Sequence, residues 1–106
     1  MAGPLTNPAV AWLLAKSDGA PAALQERAES CVEAVDSGAG IPETLAAGGL
    51  EALRRTINSG GDRSAALDLL AADALVTLAL LAQAESDPVG LAAFARHLRD
   101  DGVVRP

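Results

Sequence analysis

The side chains of this chain that could do chemistry are mainly carboxylates. A row of them at helical spacing comprises Glu26, Glu29, Glu33 and Asp36. A helix places such a row along one face, and oxygens of this kind bind hard cations such as magnesium when a neighbouring helix adds further carboxylates. Asp73, in a long apolar segment, is such an addition. Glu26, Glu29 and Asp73 are therefore candidate metal ligands, although a solvated acidic face explains the row without any metal.

The segment around these carboxylates resembles a known motif. Gln25-Glu26-x-x-Glu29 is similar to the Glu-rich first half of the motif of the all-α nucleoside-triphosphate pyrophosphatases of the MazG kind. In that family a downstream Glu-x-x-Asp completes the motif, whereas here Leu70 stands where a Glu should precede Asp73. The resemblance implies a small metal-dependent nucleotide pyrophosphatase-like enzyme as an alternative function.

A second resemblance lies at the start of the apolar segment. The sequence GGDRSAALDLL, from Gly60 to Leu70, is similar to the GGDSLxALxLL pattern at which acyl and peptidyl carrier proteins attach phosphopantetheine. Arg63 stands at the position of the modified serine, and Ser64 falls one place later. The resemblance implies a carrier or apolar-ligand-binding protein, while an ordinary loop with Asp62 as helix N-cap explains the same residues.

The residue types and their spacing give little support for catalysis by a nucleophile or a general base. His97 and Cys31 are the only histidine and the only cysteine, and no spacing joins them into a nucleophile–base pair. We therefore assign no catalytic residue and no cofactor, and we favour a non-enzymatic role while leaving the enzyme class open.

Two carboxylates on the apolar segment, Asp68 and Asp73, need partners, because a buried ionised carboxylate is costly unless it is paired. The interpretation that we favour places them at the margins between packed helices, where a guanidinium group meets each. A ligand or proton site within the bundle is the functional alternative. The expected partners are Arg54, Arg55, Arg63, Arg96 or Arg99.

The element that positions these residues is the stretch from Ser64 to Ala84, which is apolar on two opposite sides. One row at helical spacing comprises Leu67, Leu70, Ala71, Ala74, Leu78 and Leu81, and the second comprises Leu69, Ala72, Val76 and Leu80. A helix of this kind has no face suited to water. We therefore expect other helices to wrap it, or a partner chain to share it.

The rest of the chain predicts an all-α fold. Ala and Leu dominate, and the β-branched and aromatic residues typical of strands are scarce. We expect residues 1–106 to form one domain, a compact antiparallel bundle of four main helices and one or two short ones, with the long helix at about 62–85 in its centre. The predicted helices start at Pro8, Pro21, Pro42, Leu50, Asp62 and Pro88, and the paired Gly48–Gly49 should break or bend the chain between the third and the fourth. Leu50, Leu53 and Ile57 should face inward.

The net charge and the length of the charge-free apolar stretch argue against two classes of partner, nucleic acids and membranes. A net charge of −6 argues against nucleic acid as a partner, because phosphate binding needs Lys and Arg. The longest charge-free part of the apolar stretch, from Ala74 to Ala84, is shorter than the roughly 20 residues that a bilayer needs, so no membrane association is expected. We predict a cytoplasmic protein, and the excess of Arg over Lys with abundant Ala and Gly is typical of a GC-rich bacterial genome.

These observations favour an interaction or structural module that self-associates as a homodimer or binds a protein partner. Two features support this prediction. One is the second apolar row of the central helix, and the other is Trp12, which lies away from the apolar row of the first helix. Trp12 is either a lid over the core or an interface anchor. The candidate interface residues are Trp12, Leu69, Ala72, Val76 and Leu80.

Overall fold

Helices make up the regular structure of this protein. A computed structural model describes residues 7–35 and 39–102, and in these ranges it contains five α-helices, one short 3-10 turn and no strand. The helices are α1 (Pro8–Lys16), α2 (Ala22–Glu33), α3 (Ile41–Asn58), α4 (Arg63–Ser86) and α5 (Leu91–Gly102), and the 3-10 turn is Pro88–Gly90. The predicted all-α bundle is confirmed.

Helix starts follow the predicted signals. The Asn7 side chain accepts a hydrogen bond from the Ala9 amide at 2.9 Å, and Pro8 occupies the first turn of α1. The Asp62 side chain accepts from the Ala65 amide at 3.0 Å and caps α4, within one residue of the predicted start. α2 ends at Glu33; the Asp36 predicted as its last residue lies outside the described residues.

The predicted break at Gly48–Gly49 is wrong, because α3 runs unbroken through both glycines. A Cβ on Gly48 would lie 2.9 Å from Val32 Cγ2 and 3.2 Å from Val32 Cα, and one on Gly49 would lie 3.0 Å from Val76 Cγ2. The glycines therefore allow α2 and α4 to approach α3 closely from two sides. Packing of the neighbouring backbones offsets the low helix propensity of glycine.

The core forms around α4, whose buried row is Ala65, Asp68, Ala71, Ala72, Leu75, Ala79, Ala82 and Gln83. α4 packs chiefly against α3 and also against α2. The largest fully buried side chains are Leu13, Val32, Cys31, Leu45 and Leu75. With so few large side chains, close approach of backbones over alanine and glycine gives the core its dispersion contacts.

Within the described residues, the other helices of the chain do not wrap α4 on every side, which was the first of the two arrangements expected from the sequence. Leu69, Leu70 and Leu81 are 52%, 55% and 41% exposed, so α4 meets solvent both on the side of Leu69 and on the side that carries Leu70 and Leu81. By length and composition alone α4 is also apolar enough to cross a membrane, and 39% of its most apolar window is buried inside the chain.

Candidate interaction surface

The second apolar row of α4 (Leu69, Ala72, Val76 and Leu80), which we call the second face, changes in exposure along its length. Ala72 is buried, and Val76 and Leu80 are half-buried. Val76 packs on Gly49 of α3, so part of the second face belongs to the core of the single chain. Leu69, 52% exposed, is the member of the row that remains open to solvent.

An apolar groove of about 300 Å³ lies along the second face. α3, α4 and α5 supply its walls, which are Leu50, Leu53, Val76, Leu80, Ala95, Leu98 and Arg99. α5 forms its cover without being embedded, because none of residues 91–100 is buried. Phe94 and Leu98 only pack partly buried against the core.

α5 is too short to cover the whole second face. Its 12 residues span about 18 Å, whereas the 24 residues of α4 span about 36 Å. The chain reverses at Asp87–Gly90, so α5 runs back along the C-terminal half of α4, where Ala95 and Leu98 meet Val76 and Leu80 at the groove. The N-terminal half, which carries Leu69, extends beyond it.

α3 contributes to the same uncovered area. Ile57 follows Leu50 and Leu53 at helical spacing, and the α3–α4 connection places it at the end of the bundle where Leu69 lies. Ile57 is 66% exposed, so its predicted inward position is wrong. By helical spacing, Leu69 continues the row of Val76 and Leu80 on α4, and Ile57 continues the row of Leu50 and Leu53 on α3, each beyond the residues that line the groove.

Charges of both signs border this surface. Asp73 shares the row of Leu69, Val76 and Leu80 on α4 and is exposed, with no ion pair to any described residue. On the α5 side, the Arg99 guanidinium lies 3.7 Å from the exposed Asp100 carboxylate and is otherwise solvated. Arg54 and Arg55 on α3 both pair with Glu51.

Trp12 lies at a different cavity, a cleft of about 180 Å³ between α1, α3 and α4. Its ring packs half-buried against the core cluster, and it shares the cleft with Ile41, Pro42, Ala82, Glu85 and Ser86. Trp12 therefore closes one edge of the core, and no residue that lines this cleft also lines the groove along the second face.

The partner of Asp68 is a residue that the sequence analysis did not consider. Asp68, with only 4% of its side chain exposed, accepts a hydrogen bond from Arg27 of α2 at 2.5 Å. The same guanidinium donates to the Ser64 hydroxyl at 3.2 Å. The expected arginines of α3, α4 and α5 are wrong for Asp68, because α2 crosses the N-terminal half of α4 on the side where Asp68 points.

The candidate metal ligands lie on separate helices. Glu26 and Glu29 belong to α2, where Glu26 is exposed and Glu29 half-buried, and Asp73 is exposed on α4. In residues 7–35 and 39–102 no group of three or more His, Cys, Asp or Glu side chains is gathered for a metal ion. The pyrophosphatase-like interpretation therefore has no assembled site to rest on in this part of the chain.

The remaining candidates have structural explanations. Cys31 is fully buried, and this burial raises the pKa of its thiol, whereas His97 is exposed on α5. Asp62 caps α4, and Gly60 and Gly61 adopt φ values of +80° and +86° in the preceding loop. Ser64 is exposed and accepts a hydrogen bond from Arg27. These contacts account for the segment that resembles a carrier protein.

The walls of the groove on α3 and α5 were not predicted from the sequence. The helical spacing of Leu50, Leu53 and Ile57 was visible, but it does not distinguish a core row from a surface row. Comparisons of this chain with protein-family models, with curated proteins and with solved structures give no match.

Proposed function

We propose that this protein is a helical interaction module that self-associates through the second face of α4 and the adjoining groove. The observation that carries the proposal is the incomplete cover: α5 spans half of α4, and Leu69 and Ile57 stand 52% and 66% exposed at the uncovered end. Contiguous apolar surface of this kind is typical of protein interaction sites. A partner that covered both side chains would remove this surface from water.

A second copy of the chain suits this surface. A two-fold interface brings the same patch of both copies together, so the patch must complement itself. Here Arg99 of α5 lines the groove, and the exposed Asp73 shares the row of Leu69, Val76 and Leu80 on α4, so the two elements carry opposite charges. In a pair of copies, the Asp73 carboxylate of one can pair with the Arg99 guanidinium of the other. A partner surface that is only acidic or only basic would repel one of these two side chains.

The proposal includes a homodimer that acts in the cytoplasm without a cofactor. Support for the compartment comes from the single cysteine, which is buried and has no second cysteine in the chain for a disulfide. Proteins of oxidising compartments more often carry paired cysteines.

The test compares two leucines on different sides of α4. Leu69→Glu places a carboxylate on the proposed interface, and Leu81→Glu places one on a similarly exposed position outside it. An unpaired charge in an apolar interface costs about 3 kcal/mol, and a two-fold dimer carries the substitution in both copies, so Leu69→Glu should weaken dimerisation by a factor of at least about 100. Light scattering after size-exclusion chromatography measures the mass, and circular dichroism measures the helix content.

We expect a dimeric parent, a folded monomer for Leu69→Glu and a folded dimer for Leu81→Glu. Ile57→Glu on α3 should also give a folded monomer, which provides a second variant should Leu69→Glu lose its helical signal. A parent that remains monomeric at high concentration contradicts the proposal, as does a Leu69→Glu dimer. Flotation of the parent with lipid vesicles would instead assign the apolar surface to a membrane.

A further inference from the structure

Two residues that line the cleft at Trp12, Trp12 itself and Glu85, both contact the ammonium group of Lys16. Lys16 follows Trp12 by four residues on α1, and its Nζ lies 5.4 Å from the centre of the indole ring. The same Nζ lies 3.1 Å from Glu85 Oε2 on α4. An ammonium group therefore sits between an aromatic face and a carboxylate, which are the two groups that recognise organic cations.

Trp12 and Glu85 also line open space. Together with Ile41, Pro42, Ala82 and Ser86 they line an open cleft of about 180 Å³ with mainly apolar walls. A cavity of about 150 Å³ is large enough for a benzene-sized molecule, and drug-sized ligands need about 300 Å³ or more. The cleft thus has room for a short aliphatic chain beside the two groups that hold the ammonium.

We propose that this cleft binds a primary alkylammonium group, either a free amine or the lysine side chain of another protein, in competition with Lys16. The ligand ammonium takes the place of Lys16 between Trp12 and Glu85, and its aliphatic chain lies along Pro42 and Ala82. Lys16 and Glu85 keep 38% and 47% of their side chains exposed, so exchange of one ammonium for another needs no opening of the core. A net charge of −6 attracts such a cation.

The experiment uses the fluorescence of Trp12, which is the only tryptophan in a chain without tyrosine. Pentylammonium chloride is titrated at constant ionic strength, with 1-pentanol as the uncharged ligand of the same chain length. Pentylammonium should give a saturable change in emission that 1-pentanol does not give. An equal response to the alcohol, or a response that does not saturate, overturns the proposal.

Variants test the competition directly. Lys16→Ala removes the internal ligand and should tighten pentylammonium binding by about 3- to 10-fold, the range that exposed ion pairs and cation–π contacts support. Adding Glu85→Gln to Lys16→Ala should weaken binding by a similar factor. Adding Glu33→Gln instead removes the same charge from an exposed position of α2 that lines neither cavity, and should leave binding unchanged.

Unchanged affinity in Lys16→Ala, or equal losses with Glu85→Gln and Glu33→Gln, would also overturn the proposal. A third ligand separates the two sources of the ammonium group. If Nα-acetyl-lysine methylamide binds as tightly as pentylammonium, the cleft accepts a lysine within a polypeptide. If it binds much more weakly, the cleft accepts a free amine.

Discussion

Arg27 and Asp68 form the most buried ion pair among the described residues. The Asp68 side chain is 4% exposed, so its carboxylate depends on the guanidinium at 2.5 Å. Arg27→Met should lower the free energy of unfolding by about 2–3 kcal/mol, somewhat less than for a fully buried pair, because Arg27 keeps contact with water. Urea denaturation followed by circular dichroism measures the loss.

The double variant Arg27→Met with Asp68→Leu is the control for that experiment. It removes both charges and replaces them with apolar side chains, so it should regain most of the lost stability. If the double variant is less stable than Arg27→Met, desolvation of an unpaired Asp68 is not the cause of the loss.

The buried thiol of Cys31 should make the folding stability of the protein depend on pH in the alkaline range. Burial raises the pKa of its thiol above the ordinary 9.0. The Arg55 guanidinium opposes this rise, the Asp68 carboxylate adds to it by a smaller amount, and Arg27 opposes it by a still smaller amount, so burial decides the direction. Above pH 9.0 the unfolded chain loses the thiol proton while the folded chain keeps it, so folding stability falls as the pH rises.

Cys31→Ala removes that contribution. Denaturation of both proteins between pH 8 and the alkaline limit of folding should show a steeper fall in stability for the parent than for the variant. Parallel curves would mean that the Cys31 thiol does not titrate differently in the two states.

At the scale of the elements, the paired glycines of α3 set the distance between helices. Gly48→Ala should lower the free energy of unfolding by about 1–3 kcal/mol despite the better helix propensity of alanine, because the added Cβ meets the Val32 backbone as well as its side chain. Gly49→Ala meets mainly the Val76 side chain and should cost less.

Combining Gly49→Ala with Val76→Ala should remove the clash at Gly49, whereas Gly48→Ala with Val32→Ala should recover only part of the loss. Thermal unfolding of the four variants measures these differences. Equal recovery in both pairs would show that the backbone of Val32 moves as readily as a side chain.

The same elements show how far the sequence carries a prediction. Asn7 and Asp62 marked the starts of α1 and α4 because a capping bond depends only on neighbouring residues. The effect of Gly48 and Gly49 could not be predicted from neighbouring residues. Glycine is needed there because of Val32 and Val76, which are distant along the chain and pack closely against these positions. Local signals therefore predicted helix ends, and tertiary packing decided helix continuity.

The interaction surface was predictable only in part for a related reason. The second face of α4 follows from helical spacing, but spacing does not tell which helix covers it. Ala72 and Val76 turned to the interior because the glycines admit α3, and Leu69 stayed exposed because α5 is short. The sequence contained no signal that would pair Arg27 with Asp68, since its basic residues are scattered.

At the scale of the whole molecule, α5 differs from the other four helices. None of its residues 91–100 is buried, while the fully buried large side chains all lie in α1 to α4. Helices with so little buried surface open at a low free energy. The amide hydrogens of α5 should therefore exchange with solvent much faster than those of α3, as hydrogen-exchange mass spectrometry can measure, and equal protection of the two would contradict this.

Opening of α5 changes how much apolar surface the protein exposes. Each time α5 detaches, Val76 and Leu80 become more exposed beside Leu69, and the apolar row along α4 that is open to water becomes longer. At any moment, a small fraction of the chains in a cell would then expose this longer apolar row and be able to bind a partner of matching shape.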